Sequence, residues 1–379
     1  MTLTLTSEQQ LLRDNAREFV QRTTPVTHLR RLRDQRSPEG FSRDVWHQLA
    51  DFGWVSSCIP ESYGGMGLGF TELGIVLEEC GRTLVPAPFV SSVLLGAGLL
   101  LEAGSAAQKL ERLPNIAAGT QLMAVAFEER PRFDPYYVAC KAERSGHGYR
   151  LTGHKTFVLD GHVADTLVVS ARTGGAIHER AGISLFLVDA QQPGVRVRPT
   201  RLVDSRFAAE CSFEAVEVSA TTLLGELDHG ADALDAVLDR ATICVAAEML
   251  GLCTQAYETT LEYLKTRVQF DVPIGSFQAL QHRSVDMFCA LELAKSVVQD
   301  ALSAIDERRP DVALMASAAK ARLTDLSRQI TREAVQMHGG IGMTDEHDIG
   351  FYMKRGATTE ALFGDSAYHR ARFARLSGF

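Results

Sequence analysis

No run of about 18 consecutive apolar residues occurs in the 379-residue chain, so the sequence holds no candidate membrane-spanning helix. Residues 1–10 are polar and lack both a basic and an apolar leader region, which argues against a secretory signal and makes the cytoplasm the expected compartment. Positive charge is not in excess. Lys and Arg number 39 against 47 Asp and Glu, a net charge of −8, and nucleic acid is thereby disfavoured as a principal partner. The one basic run, Arg30, Arg31, Arg33 and Arg36 after His28, is diluted by Asp34 and Glu39 and reads as a solvated face or loop. Cysteine pairs are missing too: even Cys244 and Cys253, the nearest two, are too far apart for a C-x-x-C site, so the seven cysteines read as reduced, mostly buried thiols. The acidic cluster Asp345, Glu346, His347 and Asp348 fits no zinc or calcium spacing and reads as a solvated loop; no metal is expected. Internal repeats and low-complexity linkers are also absent.

What remains is a chain with 45% hydrophobic and 23% charged residues, long enough for two or three packed sub-structures. Ser7 and Gln10 have the spacing of a capping box, and Leu11, Leu12, Ala16, Phe19 and Val20 follow at helical spacing. Further helical patterns cover 43–52, 70–81 and 89–103, interrupted by the loop Tyr63-Gly64-Gly65-Met66-Gly67 and by Pro86 and Pro88. After residues 119–126 the character changes. Short β-branched and aromatic runs at 149–151, 156–159, 167–170, 183–188, 195–197 and 211–218 alternate with turn formers, including Gly153-His154 and Asp160-Gly161. From Gly230 onward long helices return, over 233–267, 277–308, 311–338 and 352–379. The expected organisation is α+β, with an N-terminal all-α domain over 1–118, a middle antiparallel β-domain over 119–225 and a C-terminal helical bundle over 226–379.

Two C-terminal segments hold candidate chemistry. In 267–282 a helix breaks at Pro273-Ile274-Gly275 and restarts with Phe277-Gln278. An arginine at a helix end beside aromatics and an amide suits a pyrophosphate and a flat ring system, although a polar turn between bundle helices accounts for the same spacing. The second segment, Gln336-Met337-His338-Gly339-Gly340-Ile341-Gly342, allows close backbone approach to a ligand; alone it reads as a helix C-cap, since no strand precedes it.

Together these segments, the α-β-α order, the Pro60-Glu61-Ser62-Tyr63-Gly64-Gly65 loop and the phrase Leu151-Thr152-Gly153-His154-Lys155 resemble the acyl-CoA dehydrogenase family over nearly the whole chain. The resemblance implies FAD as cofactor and an acyl-CoA thioester as substrate. A carboxylate would take the α-proton while the β-hydrogen leaves as hydride to the flavin, and an electron-transfer flavoprotein would accept the electrons. It also implies a FAD site shared between subunits. The half lent to a neighbour looks intact, with Arg267, Gln269, Phe270, Phe277, Gln278, Gln336, Gly339 and Gly340 as cofactor-binding residues.

The half kept for the chain's own flavin looks eroded. Where most members have a Thr-Glu pair followed by Gly-Ser-Asp, the chain reads 127–135 as Phe-Glu-Glu-Arg-Pro-Arg-Phe-Asp-Pro, and the usual Trp-Ile-Thr phrase is Phe157-Val158-Leu159. Each lost hydroxyl removes a hydrogen bond of roughly 0.5–1.5 kcal/mol. The usual catalytic glutamate aligns with Phe363. Some relatives place it on the helix that opens the C-terminal domain, where Asp239 stands, and Asp239 beside Arg240 also reads as a structural ion pair. Asp365 and Glu360 read as capping or solvated carboxylates. The expected partner is a homologous acyl-CoA dehydrogenase subunit, as in the heteromeric enzymes acting on steroid side-chain or pimeloyl-type thioesters, with a homotetramer using Asp239 or an assembly scaffold as alternatives.

Overall fold

The computed structural model describes residues 5–379. Its elements run α1 (Ser7–Thr23), α2 (Val26–Asp34), α3 (Arg43–Asp51), α4 (Phe70–Thr83), a π-wound segment (Phe89–Ala97), α5 (Gly98–Ala103) and α6 (Ala106–Ala117). Strands follow as β1 (Met123–Ala126), β2 (Lys141–Ser145), β3 (Gly148–Leu159), β4 (Thr166–Arg172), β5 (Ile183–Asp189), β6 (Val195–Arg201), β7 (Phe207–Ser219) and β8 (Leu223–Leu224). The chain closes with α7 (Gly230–Thr266), the short strands β9 (Val268–Gln269) and β10 (Val272–Pro273), then α8 (Gln278–Asp306), α9 (Val312–His338), α10 (Ile349–Ala361) and α11 (Ser366–Leu376). The α+β order expected from the sequence is the order observed.

Several local expectations shift. The capping box of α1 lies one residue upstream of the expected pair: Thr6 Oγ1 accepts from the Gln9 amide at 3.2 Å, and Gln9 Oε1 accepts from the Thr6 amide at 3.0 Å. Helix α6, capped by Ser105 and Gln108 in the same reciprocal way, was not expected. The runs 149–151 and 156–159 are one strand, β3, because Gly153 is not a turn: a Cβ there would stand 2.5 Å from the Cys140 Cα, so the glycine permits close strand approach. The last expected helix is two, divided at Leu362–Asp365.

Compact packing divides the chain into two units. One comprises Gln35–Leu68 and Pro86–Ala241 and contains the sheet. Its order is β6-β7-β3-β2-β4-β5-β8, and β1 pairs with β4. Most pairs are antiparallel; β1 and β2 meet β4 in parallel. Leu151, Val169, Phe186, Val188, Phe213 and Val216 fill the core.

The other unit comprises the residues up to Asp34, Gly69–Val85 and Thr242–Phe379 and is helical. Helix α9 packs against α8, α10 and α11, burying Ala316, Ala319, Leu323, Leu326, Ile330 and Ala334 at helical spacing. The expected N-terminal segment 1–118 therefore contributes to both units. Two ion pairs reach into this unit: Arg355 holds Glu248 through two bonds of 2.8 and 2.9 Å, with side-chain exposures of 5% and 6%. Arg17 grips the fully buried Glu79 at 3.0 and 2.7 Å. Removing one member of such a pair leaves an uncompensated buried charge. Arg355→Ala should accordingly lose about 3–5 kcal/mol of unfolding free energy in a urea titration; a loss below about 1 kcal/mol would show that the pair does not hold α10 to α7.

Candidate functional site

The first constellation lies in the helical unit, where α7 ends. The Arg267 amide still bonds to the Tyr263 carbonyl at 2.8 Å, so the break expected at Pro273 begins earlier, at Arg267 itself. A two-residue hairpin follows: Val268–Gln269 pairs with Val272–Pro273, and its tip residues Phe270 and Asp271 both have positive φ, 53° and 61°. Asn-Gly is the ordinary choice for such a turn, and a phenylalanine there is strained. Phe270 is also 87% exposed, its ring edge-on to Phe277 at 6.2 Å between centroids. Strain combined with an exposed aromatic marks a surface built for contact.

The Arg267 side chain is exposed and has no hydrogen-bond or ion-pair partner among the described residues. Gln278 and Gln336 are exposed likewise, while the Gln269 amide folds back onto the Val268 carbonyl at 2.8 Å. Gly339 takes φ 65° and ψ −142°, a backbone state essentially confined to glycine, and Cβ atoms built at Gly339 and Gly340 would meet nothing within 4 Å. Both glycines thus present bare backbone to solvent. Beside the hairpin an apolar cavity of about 690 Å³ runs between α7 and α8, lined by Tyr257, Leu261, Leu264, Pro273, Val285 and Phe288.

The second constellation lies in the sheet unit. Phe127 and Phe133 stand edge to face at 6.3 Å between centroids. Glu129 is committed to structure: its carboxylate accepts from Lys155 Nζ at 2.6 Å and from the amides of Ala139 and Cys140 at 2.7 and 3.1 Å. Lys155 also donates to Ser170 Oγ at 2.8 Å, and both side chains of the pair are buried. Neighbouring Glu128 is buried: its carbonyl accepts from the Thr156 amide at 2.8 Å, its carboxyl makes no hydrogen bond among the described residues, and burial pushes that carboxyl up to about 8. The Thr156 hydroxyl, also buried, has no partner either. At Phe157 the register of β3 against β7 slips, and φ is 52°.

The candidate base positions are equally clear. Asp239 is buried on α7. The adjacent Arg240 pairs with Glu102 at 2.6 Å. Phe363 is buried with φ 57°, and its turn is held by Lys320, whose Nζ donates to the carbonyls of Glu360, Leu362 and Gly364 at 3.0, 2.7 and 2.8 Å. Burial pushes the Lys320 ammonium down to about 7, against three acceptors matched to its three donors. His369 Nε2 meets the Phe363 carbonyl at 3.0 Å, and burial, followed by the nearby Lys320, lowers it to about 3. Asp365 caps α11 through the Tyr368 amide at 2.8 Å, and Glu360 pairs with Arg328. No metal-holding group of His, Cys, Asp or Glu occurs among the described residues.

Models of the acyl-CoA dehydrogenase N-terminal, middle and C-terminal domains match residues 6–120, 125–216 and 228–377. The chain belongs to the acyl-CoA dehydrogenase family. Mycobacterium tuberculosis acyl-CoA dehydrogenase FadE27 is 31% identical over 346 residues, 88% of each chain. A chain of the ChsE4-ChsE5 complex from the same organism aligns with a TM-score of 0.90 at 29% identity, covering 100% of both chains. A chain of the Tcur3481-Tcur3483 steroid ACAD aligns at 0.87 and 30% identity, covering 99% of this chain and 98% of that one.

This acyl-CoA dehydrogenase is therefore an oxidoreductase acting on acyl-CoA, and its cofactor is FAD. The two constellations fit that group unequally. Around Arg267 a free guanidinium, exposed aromatics and bare glycine backbone suit a pyrophosphate and a flat ring. Around Phe127 stand an aromatic pair and the Lys155–Glu129 bridge rather than free hydroxyl donors. The Thr156 hydroxyl remains there as a buried polar group without a partner among the described residues. Sequence reading missed Lys155, Lys320 and His369 as organisers, because their partners are backbone carbonyls or distant side chains that no motif displays.

Two outcomes follow from this geometry. Phe270→Asn, which tolerates positive φ, should raise the unfolding free energy of the chain by about 1 kcal/mol; destabilisation in a urea titration would show that the hairpin is not strained. Glu128 binds its proton more tightly folded than unfolded, so its contribution is complete below pH 4.5 and lost as pH rises towards 8. Stability of the FAD-free chain should fall across that window by up to about 1.4 kcal/mol per pH unit, and Glu128→Gln should flatten the fall; an unchanged slope would assign the effect elsewhere.

Proposed function

We propose that this chain is the subunit that completes the FAD site of a homologous partner in a heteromeric acyl-CoA dehydrogenase. The observation behind this reading is the contrast between its two half-sites. Arg267, Gln269, Phe270, Phe277, Gln278, Gln336, Gly339 and Gly340 lie exposed, with the Arg267 guanidinium unpaired among the described residues, whereas Phe127 packs on Phe133 and Glu129 is tied to Lys155. Phenylalanine at 363 leaves no carboxylate at that position of the turn held by Lys320, and Asp365 on the same turn is engaged in capping α11. Similarity to a chain of the ChsE4-ChsE5 complex is consistent with two different subunits.

In this reading Arg267 pairs with the pyrophosphate of FAD, Phe270 and Phe277 flank the adenine end, and the glycine backbone at 339–340 closes over it. When bound, FAD supplies the acceptor for the hydrogen leaving the β-carbon of the acyl group. The partner chain supplies the base. Bulky acyl groups of the steroid side-chain kind are the substrate class, by analogy with the steroid ACAD, and an electron-transfer flavoprotein takes the electrons. The domains are those delimited at 1–118, 119–225 and 226–379.

A second reading rests on Asp239. It is buried, and Arg240 is engaged with Glu102. A homomeric enzyme using Asp239 as base would bind FAD and turn over alone. Flavin absorbance per chain separates the two: colour that appears only on co-expression with the homologous subunit, at about one FAD per pair, and that Arg267→Ala removes, is the expected result. A yellow protein purified alone, bleached by an acyl-CoA and inactivated by Asp239→Asn, would overturn the partner reading.

A further inference from the structure

The glycine segment is held from a place that no binding motif includes. Helix α2 contributes Arg33, whose guanidinium forks onto both carboxylate oxygens of Asp345, one bond measuring 2.7 Å. Its neighbour Arg30 donates to the Asp345 carbonyl at 2.6 Å and to Asp348 Oδ1 at 2.6 Å. Both guanidinium carbons sit 4.9 Å from the centre of the Phe351 ring, at the start of α10. Planar forks bound at two points and stacked on an aromatic ring hold a fixed orientation that a single ammonium contact would not. The basic run and the acidic cluster, each of which reads as solvated, are thus partners across more than 300 residues of sequence.

On its other side the segment begins and ends in stacked rings. His338, immediately before Gly339, stacks on Tyr263 of α7 at 4.4 Å and lies 4.4 Å from His347. His338 Nδ1 meets the Ala334 carbonyl at 2.7 Å, and the Ile349 amide donates to His347 Nδ1 at 3.1 Å. Between these anchors Gly339 and Gly340 form an exposed crest, where a Cβ at either position would meet nothing within 4 Å. A glycine-rich crest has much conformational freedom, so its course must come from its ends.

We propose that Arg30 and Arg33 are positioning residues for FAD: by fixing Asp345 and Asp348 they set the backbone course of Gly339–Thr344, and α2 governs the grip on a ligand it never touches. The inference rests on the reading that this segment closes on FAD. Its test is the rate of FAD release from the flavin-loaded assembly, followed by recovery of free-flavin fluorescence on dilution. The variants are Arg33→Gln, Asp345→Asn, the double variant and Arg267→Ala, and the melting temperature of each FAD-stripped protein is measured in parallel. Arg33→Gln and Asp345→Asn should each speed release by about five-fold or more through lost pre-organisation. The double variant should be no faster than the faster single, because both remove one interaction, and the stripped melting temperatures should change little. Acceleration by Arg267→Ala without acceleration by Arg33→Gln or Asp345→Asn would overturn the positioning role and leave the donated half-site standing. No effect from Arg267→Ala would overturn the half-site itself. Additive effects, or release that rises only in step with falling melting temperature, would reduce the arginines to general structural support.

Discussion

A charged group cannot leave water alone, and much of this structure follows from how that constraint is met. Lys155 and Glu129 enter the sheet unit together, and Glu129 spends its remaining acceptor capacity on the amides of Ala139 and Cys140. The loop after β1 is thereby tied across to β2 and β3. In the helical unit Arg355 with Glu248 joins α10 to α7, and Arg17 with Glu79 joins α1 to α4. Lys320 meets the constraint differently, with three carbonyls around one ammonium, and in doing so it closes the turn between α10 and α11. At the Phe127 site the buried Lys155–Glu129 pair holds the frame, and at the Phe363 turn the buried Lys320 does.

Within that frame three phenylalanines adopt positive φ: Phe157 at 52°, Phe270 at 53° and Phe363 at 57°. A bulky side chain in that region costs about 1–2 kcal/mol, so each is over-determined by its surroundings. Phe157 is held by a bulge between β3 and β7, Phe363 by the Lys320 turn and His369, and Phe270 by a two-residue hairpin. Phe363 is buried and Phe157 is half-buried. The third points to solvent. The same backbone device thus serves a buried ring, a half-buried one and an exposed one.

Much of the architecture was legible in the residues. The α-β-α order, the long C-terminal helices, the interruption between α7 and α8 and the glycine stop after α9 followed from periodicity and turn chemistry, whereas the hairpin at 268–273 did not. Errors were local and had physical causes. Gly153 looked like a turn because close strand approach and chain reversal both demand glycine. The capping box of α1 was displaced by one residue because Thr6 and Ser7 are equally able to cap. Arg30 and Arg33 looked solvated because an ion pair across three hundred residues leaves no mark in composition or spacing.

From sequence alone came the identities that limit the chemistry: phenylalanine rather than a carboxylate at 363, aromatics rather than hydroxyls at 127 and 133, and an arginine at 267. These are properties of side chains and need no fold to be read. Only the tertiary structure decided which of them were committed. It gave Glu129 to Lys155, left Arg267 without a partner among the described residues, engaged Arg240 with Glu102 and bound the acidic loop to α2. Commitment of a polar group depends on what lies within about 3 Å of it, and chain folding brings those neighbours from distances along the sequence that local pattern does not encode.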